Sequence, residues 1–526
     1  MTYSPDMTSE LRPSTPAEGV QRGRSERVRR RGSGLAELLS FPLDQSSSVP
    51  LFRQIYLGLR AAIQKGQLRE EARLPSSRDF ALALGVSRTS VLSAYEQLLA
   101  EGYIEGRRGS GTYVAPLVDA YMEGSEARRA TQSQAADSSA SKRAQRLLNV
   151  TEHIVHASSI AFNTGVCAPD ARSFEKLKQL GARHLSGIEA DYRGYSEPLG
   201  RWDLRDLIAE YLRAARAVEC EASNIIVTTG AQQAVDLAVK VLVDPGDPVW
   251  VEDPCYPIAH AALRAAGAVT VPVPVDAEGM QVQRGLATCP EARVAYVTPS
   301  HQYPLGVTLS LTRRIELLEW ARSAGSWIIE DDYDSEFRYD GRPLSSMQGL
   351  DQGQRVIYVG TFSKVLLPGL RLGYAVIPDN LIEPFAAARL VTDRQPAVLE
   401  QLILRDFIGE GHFTGHIRRM RKVYLAARDQ LVDLISRELA GTLTVDAPSQ
   451  GMHLIARTMG ERRDVELAQL ARRAEVVARP VSRMFKGPHG LSALMLGFTG
   501  FSAIEMQLGI SRLRRAFGAP DSDPAA

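Results

Sequence analysis

Cysteine is scarce, with four in 526 residues (Cys167, Cys220, Cys255, Cys289), far apart and in no metal-ligand or disulfide pattern. That argues against a disulfide-built scaffold and a structural metal site, and suits a reducing cytoplasm. Long apolar runs are missing too. No stretch is long and apolar enough to span a bilayer, and residues 1–34 are polar and arginine-rich, without the apolar centre of a signal peptide. A membrane is therefore not an expected partner. Net charge is nearly absent, since 62 Lys and Arg against 61 Asp and Glu leave +1. Any affinity for nucleic acid must come from a local basic patch. What remains is a soluble composition, 44% hydrophobic and 23% charged, in a chain long enough for two or more domains.

Residues 1–48 are expected to be a basic disordered tail. Arg22, Arg24, Arg27, Arg29, Arg30 and Arg31 crowd together among Pro, Ser and Gly with little apolar periodicity. Residues 49–115 carry a different pattern. Leu51, Ile55, Leu59 and Ile63 are four apart, one face of a helix that Gly66 ends. Ser76 caps a short helix through Ala83, and Gly85 makes a turn. Ser87 caps the next helix, Arg88–Leu99, with Val91, Leu92, Tyr95 and Leu98 predicted to pack inward. Arg88, Thr89 and Ser90 lie on its first turn, where a recognition helix meets bases. Tyr103-Ile104 and Gly106–Val114 then read as a two-stranded wing with a glycine-rich tip bearing Arg107 and Arg108. Residues 116–155, rich in Ala, Ser, Gln and Arg, read as a linker.

From residue 156 to 526, strand-like and helical runs alternate, as in an α/β fold with a large, mostly parallel sheet. The strand-like runs include 224–228, 248–252, 269–273, 293–298, 326–330 and 355–360. One stretch organises this half: Val356-Ile-Tyr-Val-Gly-Thr-Phe-Ser-Lys-Val-Leu-Leu-Pro-Gly-Leu-Arg-Leu-Gly-Tyr374. A lysine between two apolar strands is costly unless neutralised, paired or covalently used. Upstream, Trp327-Ile-Ile-Glu-Asp-Asp-Tyr333 is another apolar strand ending in carboxylates. A carboxylate, an aldehyde-reactive lysine and an arginine together suit pyridoxal phosphate.

On these motifs the second half resembles the fold-type I aminotransferases. With Leu74-Pro-Ser-Ser-Arg78 and Val86-Ser-Arg-Thr-Ser90 in the first half, the chain resembles the MocR-type regulators of the GntR superfamily. The resemblance implies a GntR-type winged helix contacting double-stranded operator DNA through Arg78, Ser87, Arg88, Thr89, Ser90, Arg107 and Arg108. It also implies a pyridoxal-phosphate domain with Lys364 as the Schiff-base lysine. Asp331 would face the pyridine nitrogen, with Asp332 and Asp334 as alternatives on spacing, and Tyr333 would face O3′. Tyr256 would stack on the ring, while Thr361, Ser363, Arg371, Gly230, Ala231 and Gln232 would hold the phosphate. Tyr195 would reach the phosphate of a neighbouring subunit, in a head-to-tail homodimer. Two positions depart from the pattern of turnover enzymes. Tyr303 stands where they carry an asparagine, with His301 or Gln302 as stand-ins, and Met495 where they carry the arginine for the substrate carboxylate. Arg483 or Arg479 would take that carboxylate. The expectation is a regulator that senses an amino compound or pyridoxal phosphate itself. The alternative is an active aminotransferase fused to a DNA-binding domain.

Overall fold

A computed structural model describes residues 43–116, 141, 144, 147, 161–187, 193–341, 344–352, 354–488 and 490–518. The basic tail before residue 43 and most of the expected linker lie outside these residues. The chain divides into two compact units, Met1–Ser139 and Ala140–Ala526.

The first unit is built from α1 (Leu51–Gln64), α2 (Ser77–Leu84), α3 (Arg88–Ala100), β1 (Ile104–Arg107) and β2 (Gly111–Val114). Ile55, Leu59 and Ile63 of α1 are buried, as their spacing predicts. Each such side chain contributes roughly 1.5–3 kcal/mol by leaving water. The Ser76 and Ser87 hydroxyls accept the backbone N–H groups of Asp79 and Ser90, which fixes where α2 and α3 begin. Gly85 ends α2 at φ +64, a left-handed conformation that costs glycine nothing. One core expectation fails. Leu92 is 37% exposed, and Ala94 packs inward beside Val91, Tyr95 and Leu98. The inward stripe of α3 is narrower than its apolar pattern. β1 and β2 pair antiparallel, Ile104 opposite Val114, with Arg108 and Gly109 in the tip.

In the second unit eight strands form one sheet in the order β3-β10-β9-β8-β7-β4-β5-β6. They are β3 (Ile225–Thr228), β4 (Pro248–Asp253), β5 (Val269–Asp276), β6 (Gly279–Met280), β7 (Val294–Val297), β8 (Trp327–Asp332), β9 (Val356–Thr361) and β10 (Gly373–Val376). Neighbours from β9 through β5 are parallel, whereas β10 runs antiparallel to both β3 and β9. β7, β8 and β9 are buried at every residue, the signature of strands covered on both faces. In such a sheet the carboxyl ends of the parallel strands form a crevice for ligands.

A smaller antiparallel sheet follows, ordered β11-β12-β14-β13: β11 (Leu443–Val445), β12 (His453–Thr458), β13 (Arg479–Pro480) and β14 (Ala493–Gly497). The long helix before it, His412–Glu438, stays packed to its last turns, where Leu434 and Ile435 still face the core. Backbone-directed bonds tie the small sheet to the large one. Gln450 donates to the Ser300 carbonyl and His453 Nε2 to that of Pro304, while Asp253 accepts N–H groups of Lys486 and Gly487.

Candidate functional site

The carboxyl ends of β8 and β9 deliver the central groups. Lys364 sits on the short helical turn Phe362–Val365 directly after β9. It opens into a cavity of about 450 Å³ that Asp331, Tyr333, Tyr256, Tyr303, Arg371 and Arg479 also line. Burial holds the Lys364 ammonium below its usual pKa, and the nearby Arg479 charge adds to the shift. A larger fraction of the amine is therefore neutral and nucleophilic.

Of the three carboxylates that spacing left open, only Asp331 lines the cavity. Asp332 is tied to Arg216 at 2.7 Å and Asp334 to His301 at 3.0 Å. Asp331 accepts the Tyr296 hydroxyl at 2.5 Å on Oδ2, while its Oδ1 is buried without a partner. Burial, opposed by the Tyr296 bond, pushes Asp331 up to about 6. A buried carboxylate with one empty oxygen is a site for a cationic donor.

The other end of the cavity is shaped for an anion. Gly230 has φ +106 and precedes the helix Ala231–Leu242, whose first N–H groups have no intrahelical acceptor. A Cβ on Gly230 would stand 3.3 Å from the Arg371 guanidinium, so glycine permits this approach. Ala231 and Gln232 line the same corner with Thr361 and Ser363. The Ser363 hydroxyl is buried and unpartnered. Thr361 accepts the Ser363 N–H, so its hydroxyl proton is available. Phosphate, pyridinium and aldehyde thus each meet a matching group, and this donor set fits pyridoxal phosphate.

Tyr256 makes an edge contact with Tyr303, centroids 5.1 Å apart, on one wall. Gln302 donates to the carbonyls of Pro254 and Tyr303, and His301 is packed behind Tyr333. Neither lines the cavity. Tyr195 is 76% exposed beneath Arg394 and outside its own chain's cavity.

Of the two arginines expected for a substrate carboxylate, the structure brings one to the cavity. Arg483 is exposed and outside the cavity, whereas Arg479, four residues earlier, lines it. Val481–Met484 is a 3-10 turn that carries Arg483 away, while β13 aims Arg479 inward. Arg479 lies directly across the ladder from Met495. Its guanidinium touches Asn163 Oδ1 at 3.4 Å, its Nε is buried without a partner, and no carboxylate pairs with it among the described residues. Sequence reasoning also missed Gly165, which a Cβ would drive into Lys364 Nζ, and Tyr296, Met452 and His453. None carries a local signal. Tyr296 reads as a strand residue and Gly165 as a loop.

In the first unit Arg78, Ser87, Arg88 and Thr89 are exposed along α2 and α3, and Ser90 is half-buried. Arg88 donates to Ser77 at 3.2 Å, so its head is steadied at the α3 start. On the wing Arg107 is paired with Glu71 and Glu105, which neutralises much of its charge, whereas Arg108 is exposed without an ion pair among the described residues.

Two families match this chain: "Bacterial regulatory proteins, gntR family" over residues 51–114, and "Aminotransferase class I and II" over residues 158–486. The chain is 41% identical to the "Probable rhizopine catabolism regulatory protein MocR" of Rhizobium meliloti, covering 92% of this chain and 97% of that protein. It is 31% identical to the "HTH-type pyridoxine biosynthesis transcriptional regulator PdxR" of Corynebacterium glutamicum, covering 75% and 81%. Among solved structures it is similar to LysN, the alpha-aminoadipate aminotransferase of Thermus thermophilus. That match has a TM-score of 0.66 and 28% identity, over 72% of this chain and 97% of that one.

Proposed function

The chain belongs to the MocR-type regulators of the GntR superfamily, with an aminotransferase class I and II domain that takes pyridoxal phosphate. From that premise we propose that it binds operator DNA through α3 and the wing, and that an amino compound with an acidic group, bound beside Lys364, changes that binding. The observation that carries this reading is Arg479. A half-buried guanidinium without a carboxylate, its Nε unpartnered, in the same cavity as Lys364, calls for an anionic group from outside the chain.

Pyridoxal phosphate supplies an aldehyde that captures primary amines and a ring that withdraws electrons. Lys364 is the residue for that aldehyde, and its depressed pKa keeps the amine reactive. Asp331 would hold the ring nitrogen, and Arg371, Ser363, Thr361 and the Gly230–Gln232 turn, which line the same cavity, would hold the phosphate. Tyr256, on the cavity wall, would cover one face of the ring. An amino acid would lie between Lys364, on the large sheet, and Arg479, on the small one. Its binding energy would therefore favour one spacing of the two sheets over another, the requirement for a ligand-driven switch. Chains paired head-to-tail would bring Tyr195 to the neighbour's phosphate and two winged helices to one operator, in the cytoplasm.

The test pairs two titrations of the pyridoxal-phosphate-loaded full chain. Amino compounds are screened for a change in visible absorption, and each hit is added to a complex with DNA fragments selected for binding. Compounds that alter the spectrum should change DNA affinity, and Lys364→Ala should lose both responses. Spectral hits that leave DNA affinity untouched would sink the proposal. The competing reading, a turnover aminotransferase, draws on the complete cofactor set. Sustained conversion of a 2-oxo acid would decide for it.

A further inference from the structure

Behind Tyr333 lies a second row of side chains with no task so far. His301 is 2% exposed and Asp334 1%. The two Asp334 oxygens lie 3.0 and 3.1 Å from His301 Nδ1, and the Tyr333 hydroxyl oxygen lies 3.0 Å from the same nitrogen. The other ring nitrogen, Nε2, is buried without a partner. It faces Gly306 and Gly451, where a Cβ would come within 3.1 and 2.7 Å of it. Both glycines have positive φ, +78 and +89, so the ring occupies space that side chains there would fill.

The chemistry of the donors decides where the protons sit. A carboxylate only accepts, so the proton of the His301–Asp334 bond is on Nδ1. A proton on Nε2 would be a buried donor without an acceptor, which is expensive. The ring is therefore the Nδ1–H tautomer. That single N–H faces both Asp334 and the Tyr333 oxygen, so the phenol accepts from it. The phenol's own proton cannot point back at His301 and is turned toward the cavity that Tyr333 lines.

We propose that Asp334 and His301 are positioning residues that set the Tyr333 hydroxyl as a donor to an anionic oxygen of the cofactor. The proposal rests on the cavity being the pyridoxal-phosphate site. The same logic governs an aspartate that fixes the tautomer of a catalytic histidine, where changing it to asparagine leaves the geometry and installs the wrong tautomer. Asp334, His301 and His453 also bring one potential metal ligand each within 4.8 Å of one another. Here, though, Asp334 is engaged with His301, and His453 Nε2 donates to the Pro304 carbonyl. Burial pushes His453 down to about 3, so it stays neutral beside His301.

Two measurements test this. In the cofactor-free full chain, nitrogen-15 NMR of the imidazoles should show His301 as the Nδ1–H tautomer. Asp334→Asn should convert it to Nε2–H, because the asparagine amide can donate to Nδ1. In the cofactor-loaded chain, the pH midpoint of the visible absorption change should rise by about one unit in Asp334→Asn and His301→Phe, the value of one lost bond to a charged group. His301→Asn, whose amide nitrogen replaces Nδ1, should restore the midpoint. In a Tyr333→Phe background Asp334→Asn should add no further shift. An Nε2–H tautomer in the wild type would overturn the proposal, as would a shift that persists without the Tyr333 hydroxyl. Stoichiometric zinc uptake by the cofactor-free chain, abolished by Asp334→Asn, would also overturn it. Absence of a visible band in the wild type would instead sink the cofactor reading and leave the tautomer result standing.

Discussion

Asp331→Asn should separate the stability of the second unit from its hold on the cofactor. In the cofactor-free chain Asp331 is buried, bonded by Tyr296 on one oxygen and unpartnered on the other. Burial raises its pKa from 3.8 to about 6. A raised carboxyl pKa means that folding favours the neutral form. That advantage is present in full below the unfolded value and is lost as pH rises through about 6. Above it, holding Asp331 ionised costs about 3 kcal/mol, at about 1.4 kcal/mol per pH unit. Asparagine has the same size, still accepts the Tyr296 hydroxyl and cannot ionise. The cofactor-free variant should therefore gain on the wild type by roughly 1–2 kcal/mol between about pH 5 and about pH 8. An unsatisfied amide N–H shifts the whole difference by a constant and leaves its slope. Urea unfolding followed by tryptophan fluorescence measures this. All four tryptophans (Trp202, Trp250, Trp320, Trp327) lie in the second unit, so the signal reports that unit alone. Pyridoxal phosphate should bind the variant at least about tenfold more weakly, because a charge-assisted bond is lost. A stability difference flat across pH would refute the buried-charge account, whatever happens to cofactor affinity.

Gly230→Ala combines φ +106 with a Cβ 3.3 Å from Arg371, and should cost about 1–3 kcal/mol in urea unfolding while weakening pyridoxal-phosphate binding. Arg479→Gln should abolish the preference for an amino acid over the amine lacking its carboxylate, by about tenfold or more in spectral titrations. Arg483→Ala, outside the cavity, should leave that preference intact. Arg88→Ala should weaken DNA binding and reduce the slope of log affinity against log salt by about 1. Arg107→Ala should do less in the same titration, because Glu71 and Glu105 already hold that guanidinium.

The sequence alone was enough for most of the elements and for naming most of the residues that line the cavity, because those depend on short-range chemistry. Ser76, Gly85 and Ser87 punctuate the winged helix through local hydrogen bonds and one left-handed residue, all within a few positions of chain. Lys364, Arg371 and Asp331 stand at the ends of apolar strands, where charge is conspicuous. Tertiary structure decided what depends on which neighbour arrives from far along the chain. Asp331, Asp332 and Asp334 look alike in sequence. Arg216 holds Asp332 and His301 holds Asp334, and of the three only Asp331 lines the cavity, with one oxygen unpartnered. Arg479 and Arg483 are equally cationic in sequence. The antiparallel register that sets Arg479 across from Met495, and the 3-10 turn that follows, put one inside and the other in solvent. Burial and partner choice are properties of the packed molecule, and they determine which of several chemically equivalent residues can act.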